Sequence, residues 1–236
     1  MKKVLGIIGG MGPAATCDLM EKIIALTAAA CDQEHIHMVS DVNTDIPDRT
    51  AAILRGGEDP VCQLVQSAKR LETAGADFLV MPCNTAHFFY DRLAAQVDIP
   101  ILHMPRLAAA ALKKAGVKKV GVLATDGTIQ SGVYAAALAA LGIEPVYPEP
   151  EHQAMVMALI YEGVKARKLP LEAVPVAQLL ESLRQKGAEK FLLACTELPI
   201  AFAALGIRQD CLDPTRALAL AAVEYAGARP AVSDPW

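Results

Sequence analysis

A chain of 236 residues, 53% of them hydrophobic, can bury a sizeable core as one large domain or two small ones. Its net charge of −4 leaves no electrostatic footprint for nucleic acid or for an anionic membrane surface, so an acidic ligand would need a local basic pocket. No apolar stretch approaches the roughly 18 residues that span a bilayer, and the run after Met1-Lys2-Lys3 stops at Gly9-Gly10, too soon for a secretory leader; a cytoplasmic protein is expected.

VLGII (4–8) reads as the first strand, and GMGPAA (10–15) turns from it into a helix over 14–30. HMVSDV (37–42) is a second strand, IPDRT (46–50) a polar, proline-containing loop, and 60–74 a helix. DFLVM (77–81) is the third strand, followed by helices over 85–96 and 106–115. VGVLA (120–124) and KFLLA (190–194) are further strands, with helical spacing over 128–141, 151–164, 171–186 and 215–227. Short apolar runs alternating with amphipathic segments predict an α/β fold built on parallel sheets.

The two halves resemble each other. GADFLVMPCNT (75–85) lies over GAEKFLLACTE (187–197) at a constant offset, since 195 − 83 and 187 − 75 both give 112. Near the same offset, KKVLGIIGGMG (2–12) lies over KKVGVLATDG (118–127), and MPRLAAAALKKAG (104–116) over PTRALALAAVEYAG (214–227). A repeat of about half the chain predicts two pseudo-symmetric lobes, each a parallel four-stranded sheet flanked by helices. The first lobe is expected over 1–103 and the second over 104–214, with a final helix, 215–227, returning to pack on the first.

Six cysteines occur with no C-x-x-C pair and no zinc spacing. Cys17, Cys31, Cys62 and Cys211 are read as small buried hydrophobes. Cys83 and Cys195 differ, because both fall at the carboxyl end of a strand, where open α/β sheets bind ligands. Facing lobes would set these thiols on opposite walls of one cleft. A helix N-terminus behind each favours thiolate below its free value of about 8.5. The backbone N–H groups there, with Asn84, Thr85 and Thr196, could hold a substrate carboxylate between the sulfurs. Two opposed thiols can remove a proton from one face of a carbon and return one to the other, which inverts an amino acid without a metal or a redox cofactor.

Several smaller features carry plainer readings. GMGPAA has the outline of a dinucleotide fingerprint, but the nearest acidic residue after the second strand, Asp41, is about 26 positions on, and Pro13 removes an N–H that a pyrophosphate would use. A tight turn into a helix is the simpler account. His35 and His37 could share one strand face, yet no third metal ligand stands near them. His87 lies one turn behind Cys83 and could order the site. Glu197, two residues after Cys195, could bond a substrate ammonium, tune the thiol or cap a helix.

GIIGGMGP (6–13), IPDRT (46–50), PCNTAH (82–87), IYEGVK (160–165) and ACTELP (194–199) together resemble, in order, the blocks of the aspartate/glutamate racemase family, on its aspartate racemase branch. The resemblance implies a racemase that needs no cofactor and no metal, acts on a small acidic amino acid and is usually a homodimer, with Cys83 and Cys195 as its acid/base pair. It also implies that Arg49 and Lys165 recognise the substrate's acidic side chain, a role suited to a planar fork and a point charge. The neighbouring glutamate racemase branch usually carries Asp-Ser-Gly after the first strand and Cys-Thr-His-Tyr-Pro at the second cysteine. Here Gly9-Gly10-Met11 and Cys195-Thr196-Glu197-Leu198-Pro199 stand instead. Met11 is therefore counted with Asn84, Thr85, Thr196 and Glu197 as substrate-binding. Two other classes stay open: a cysteine-dependent dicarboxylate isomerase of the maleate isomerase kind, trapping substrate on one thiol, and a non-catalytic binder of an acidic metabolite.

Overall fold

The structure is a computed structural model that describes residues 2–168, 173–207 and 210–236. Its first sheet opens with β1 (Leu5–Gly9), whose five residues are all buried, as befits a parallel strand covered on both faces. α1 (Pro13–Leu26) follows, with Pro13 in its first turn. β2 (Met38–Val42), the short α2 (Arg49–Leu54), α3 (Val61–Thr73) and β3 (Phe78–Val80) complete the unit. The strands run parallel in the order β2-β1-β3.

After β3 come a 3₁₀ turn (Thr85–Phe89), α4 (Tyr90–Ala94) and α5 (Met104–Lys114). The second half then repeats the pattern with β4 (Lys119–Ala124), α6 (Asp126–Ser131), α7 (Val133–Ala139) and β5 (Glu144–Val146). α8 (Pro150–Ala158) runs into a π-helix (Leu159–Lys165), and α9 (Ala173–Gln185), β6 (Lys190–Ala194), α10 (Glu197–Ala204), β7 (Cys211–Leu212) and α11 (Pro214–Tyr225) follow. This sheet is also parallel, in the order β5-β4-β6-β7.

The repeat reaches single side chains. A Cβ on Gly6 would sit 2.5 Å from the Leu79 side chain and 3.2 Å from Leu71, and one on Gly121 would sit 2.9 Å from Phe191 and 3.1 Å from Leu183. Leu71/Leu183 and Leu79/Phe191 are the residues that an offset of 112 superposes. Each central strand thus needs a glycine where the same neighbours press on it.

The first sheet has three strands, not the four expected. Its fourth position is reduced to one parallel bridge, Leu79 to Ile101, where Pro100 accepts from Leu79 N–H but has no N–H of its own to extend the ladder. Helix ends also moved. α1 stops at Leu26 rather than at 30 because residues 27–28 pair with the tail: Thr27 bridges Pro230, and Ala28 N–H donates to Arg229 carbonyl. The helix expected over 128–141 breaks at Gly132, which adopts φ +69° between α6 and α7. The start of the helix expected from 171 lies outside the described residues.

Both crossing helices pack on the sheet of the other half. Ala108, Ala109 and Leu112 of α5 join the core around Val120, Val122 and Leu192. Leu218, Ala222 and Val223 of α11 join Leu5, Ile7, Leu19, Phe78 and Val80 of the first sheet. No helix among the described residues is long and apolar enough to cross a membrane.

Candidate active site

The carboxyl ends of β3 and β6 meet in one small cavity. Met11, Arg49, Cys83, Asn84, Thr85, Lys165, Cys195, Thr196 and Glu197 all line it, and Asp48, Thr50, Thr125 and Tyr161 complete the wall. Nine of the ten residues singled out from the sequence are therefore brought together; His87 stands behind the wall. The cavity measures about 20 Å³, room for roughly one water. Two larger cavities, about 620 and 860 Å³, contain neither Cys83 nor Cys195.

Cys83 sits in a turn in which its own N–H donates to Met81 carbonyl, and it is 6% exposed. Asn84 then begins a 3₁₀ turn rather than the α-helix the spacing predicts. His87 explains that tight winding. Met104 N–H donates to His87 Nε2 at 3.1 Å, so the ring proton resides on Nδ1, which donates to Cys83 carbonyl at 2.8 Å. Burial, with His103 beside it, lowers the His87 pKa to about 3. His87 is thus a neutral strut between the cysteine turn and the start of α5.

Cys195 is 7% exposed and is surrounded differently. Its thiol donates to Glu197 Oε2 at 3.0 Å, Thr196 hydroxyl donates to the same oxygen at 3.2 Å, and Lys165 Nζ lies 3.1 Å from Glu197 Oε1. Glu197 is only 3% exposed, so these donors supply the compensation a buried carboxylate requires. The expectation that a helix N-terminus favours thiolate fails at Cys195: burial first, and then the Glu197 charge and hydrogen bond, push its pKa well up. Burial pulls the Lys165 ammonium the other way, but Glu197 and the two cysteines outweigh it and hold its pKa above the ordinary lysine value. One cation thus senses both sulfurs.

The π-helix supplies Lys165 and Tyr161, and an inserted residue of this kind often marks a functional site. Arg49 is not in a loop; it is the first residue of α2, which Asp48 caps by accepting from Ala51 N–H. Arg49 Nη1 donates to the carbonyls of Ile46 and Pro47, and Nη2 to that of Met11, while its buried Nε has no partner. On the opposite wall, a Cβ on Gly12 would lie 3.6 Å from Glu197 Oε1, so the glycine turn after β1 faces the second lobe's carboxylate. Thr85 hydroxyl lies 3.1 Å from Thr125 and 2.7 Å from Thr128, closing a ring of three hydroxyls across the two halves.

Asp48, Thr50 and Tyr161 were within reach of sequence reasoning, since they belong to the IPDRT and IYEGVK blocks. Thr125 follows β4 as Gly10 follows β1, and the repeat marks it. The other cysteines correct an expectation: Cys17, Cys31 and Cys62 are exposed, and Cys211 is half-buried against the core beside β6. Among the described residues no three His, Cys, Asp or Glu side chains are grouped to hold a metal ion.

The profile of the Asp/Glu/hydantoin racemase family matches residues 8–222. A broad-specificity amino-acid racemase, RacX, of Bacillus subtilis (strain 168) is 28% identical over 83% of this chain and 86% of its own length. A glutamate racemase of Lysinibacillus sphaericus (strain C3-41) is 35% identical, but over 57% of this chain and only 51% of that protein. Among solved structures, the aspartate racemase of Picrophilus torridus is 35% identical, covers 97% of this chain and 96% of that one, and superposes with a TM-score of 0.86. An aspartate racemase homologue from Pyrococcus horikoshii OT3 is 26% identical over 96% of this chain and 100% of its own, with a TM-score of 0.77. The chain belongs to the Asp/Glu/hydantoin racemase family, and that membership supports an amino-acid racemase activity.

Proposed function

We propose that this racemase interconverts the enantiomers of aspartate, and secondarily of glutamate, by two-base proton transfer between Cys83 and Cys195. The observation that carries the reading is the convergence of two strand-end thiols and two cations, Arg49 and Lys165, on one cavity. In the resting site Cys195 is the acid, its proton held toward Glu197. Cys83, as thiolate, takes the α-proton from one face; Cys195 delivers its own proton to the opposite face and becomes thiolate. Lys165 offsets the charge that then sits beside Glu197. For the other enantiomer the roles exchange.

Developing charge on the substrate's α-carboxylate would fall to Asn84, Thr85, Thr196 and the backbone N–H groups near them. Arg49 and Lys165 would take the side-chain carboxylate, with Met11 bounding the site and His87 holding the Cys83 turn. Neither thiol requires a cofactor or metal for this chemistry. The cavity as it stands has room for roughly one water, so substrate would widen it on binding. We divide the chain into lobes at 103 and 214 on the same reading, since the crossing helices α5 and α11 begin there. Homodimeric assembly and a cytoplasmic setting belong to the same reading.

The test is loss of optical activity when purified protein is incubated with L-aspartate, then L-glutamate and neutral amino acids, without added cofactor. Racemisation with acidic substrates preferred supports the reading. A covalent adduct on one thiol would favour the dicarboxylate isomerase, and tight binding with no turnover of any amino acid would leave only a binder.

A further inference from the structure

Asn84 lines the cavity at 2% exposure, and its carboxamide is half satisfied. Oδ1 accepts from Tyr134 O–H at 2.5 Å, whereas Nδ2 is buried with no partner. Tyr134 belongs to α7, on the other half of the molecule from Asn84, and is itself 2% exposed. Its hydroxyl makes this one hydrogen bond among the described residues. Burial, and then the charges of Asp213 and Cys195, hold the phenol well above its ordinary value, so the proton is always present to donate.

With no other acceptor for its proton among the described residues, the phenol meets the oxygen end of the amide. Oδ1 faces Tyr134, and the NH₂ group is left over as a donor inside a closed site. Such a donor carries a desolvation cost until an acceptor arrives. Neighbouring Thr85 is already engaged with Thr125 and Thr128, which leaves Asn84 the unspent polar group of the Cys83 turn.

We propose that Tyr134 is a positioning residue that locks the Asn84 carboxamide with its NH₂ toward the substrate, making this wall selective for the α-carboxylate over an α-carboxamide. The inference rests on the cavity being the amino-acid site. Donor and acceptor come from the two halves of the chain, fifty residues apart, so the lock ties the Cys83 turn to α7. Without the hydroxyl, the amide can turn over and offer Oδ1 to an incoming N–H, which welcomes the amide analogue and repels the carboxylate.

Tyr134→Phe keeps the ring and removes only the hydroxyl. The readouts are KM and kcat for L-aspartate, and inhibition by L-aspartic acid α-amide. The variant should raise KM about tenfold with kcat changed less than threefold, and should lower the preference for aspartate over the amide by about tenfold. A folded variant with unchanged KM and unchanged preference overturns the lock while leaving the racemase reading intact. Wild-type protein that binds no acidic amino acid overturns both. Should the variant not fold, the Asn84 side-chain NH₂ resonances of the wild type decide: L-aspartate should shift them, and binding that leaves them in place overturns the proposal.

Discussion

The two cysteine turns occupy the same place in a duplicated lobe, yet they are held by opposite kinds of group. Behind Cys83 stands a neutral imidazole bonded to the backbone, and no charge touches the turn from that side. Before Cys195 stands a buried carboxylate that accepts a hydrogen bond from the thiol and is balanced by Lys165. Duplication therefore sets where the sulfurs are; the residues after each cysteine give the two sulfurs unlike surroundings. A two-base reaction needs that asymmetry, because one thiol must begin protonated.

The strongest way to break the comparison is to remove each thiol in turn. Cys83→Ser and Cys195→Ser should each lower turnover by roughly a hundred- to ten-thousandfold, while calorimetry still detects L-aspartate binding. A variant that retains most of its activity would show that one turn is ornamental.

Neutralising a substrate-facing cation should cost less. Arg49→Met is expected to raise KM for L-aspartate by roughly ten- to a hundredfold, the worth of a hydrogen bond to a charged group, with little effect on any neutral amino acid turned over, whereas Lys165→Met should also slow neutral substrates, because Lys165 balances Glu197 beside Cys195. Equal losses for neutral and acidic substrates in Arg49→Met would move Arg49 away from the side-chain carboxylate.

Glu197→Gln sharpens the asymmetry directly. A negative charge beside a thiol opposes thiolate, so its removal should lower the Cys195 pKa, and alkylation of Cys195 by iodoacetamide should begin at lower pH. The alkylation profile of Cys83 should stay where it is. Identical shifts at both cysteines would contradict separate control of the two turns.

The smallest effect is on stability, and the two turns show it at opposite ends of the pH scale. His87 is neutral when folded but protonates below about 6.5 when unfolded, so its contribution is full above that value and is lost as pH falls toward about 3. Cys195 has a raised pKa, so its contribution is full below about 9 and is lost as pH rises. His87→Gln, which can keep both hydrogen bonds, should flatten the acid limb of a denaturation series by about one proton and leave the alkaline limb unchanged.

The strands, the repeat and the cysteine turns were legible because a buried parallel strand must be continuously apolar and must end abruptly where the site begins. β1, β4 and β6 are of that kind. β5 and β7, three and two residues long, carry too little pattern to be read. The break at Gly132 rests on a glycine that can take the left-handed cap conformation inside a helical run, while the π-helix that carries Lys165 has no signature in the spacing. Glu197 was visible as a candidate, but its grip on the Cys195 thiol was not, because burial decides the direction and burial is a property of the fold. The Tyr134–Asn84 bond spans fifty residues and has no sequence signature at all.

The central claim is that both sulfurs address one α-carbon from opposite faces. Its most direct test is the first turnover of L-aspartate in heavy water, with the deuterium content of each enantiomer read by NMR. D-Aspartate should carry deuterium at the α-carbon from the outset while the remaining L-aspartate keeps its hydrogen, since the donor of the new proton is not the acceptor of the old. Deuterium entering the L-enantiomer as fast as the product, or a D-enantiomer that keeps the original hydrogen, would contradict two opposed thiols.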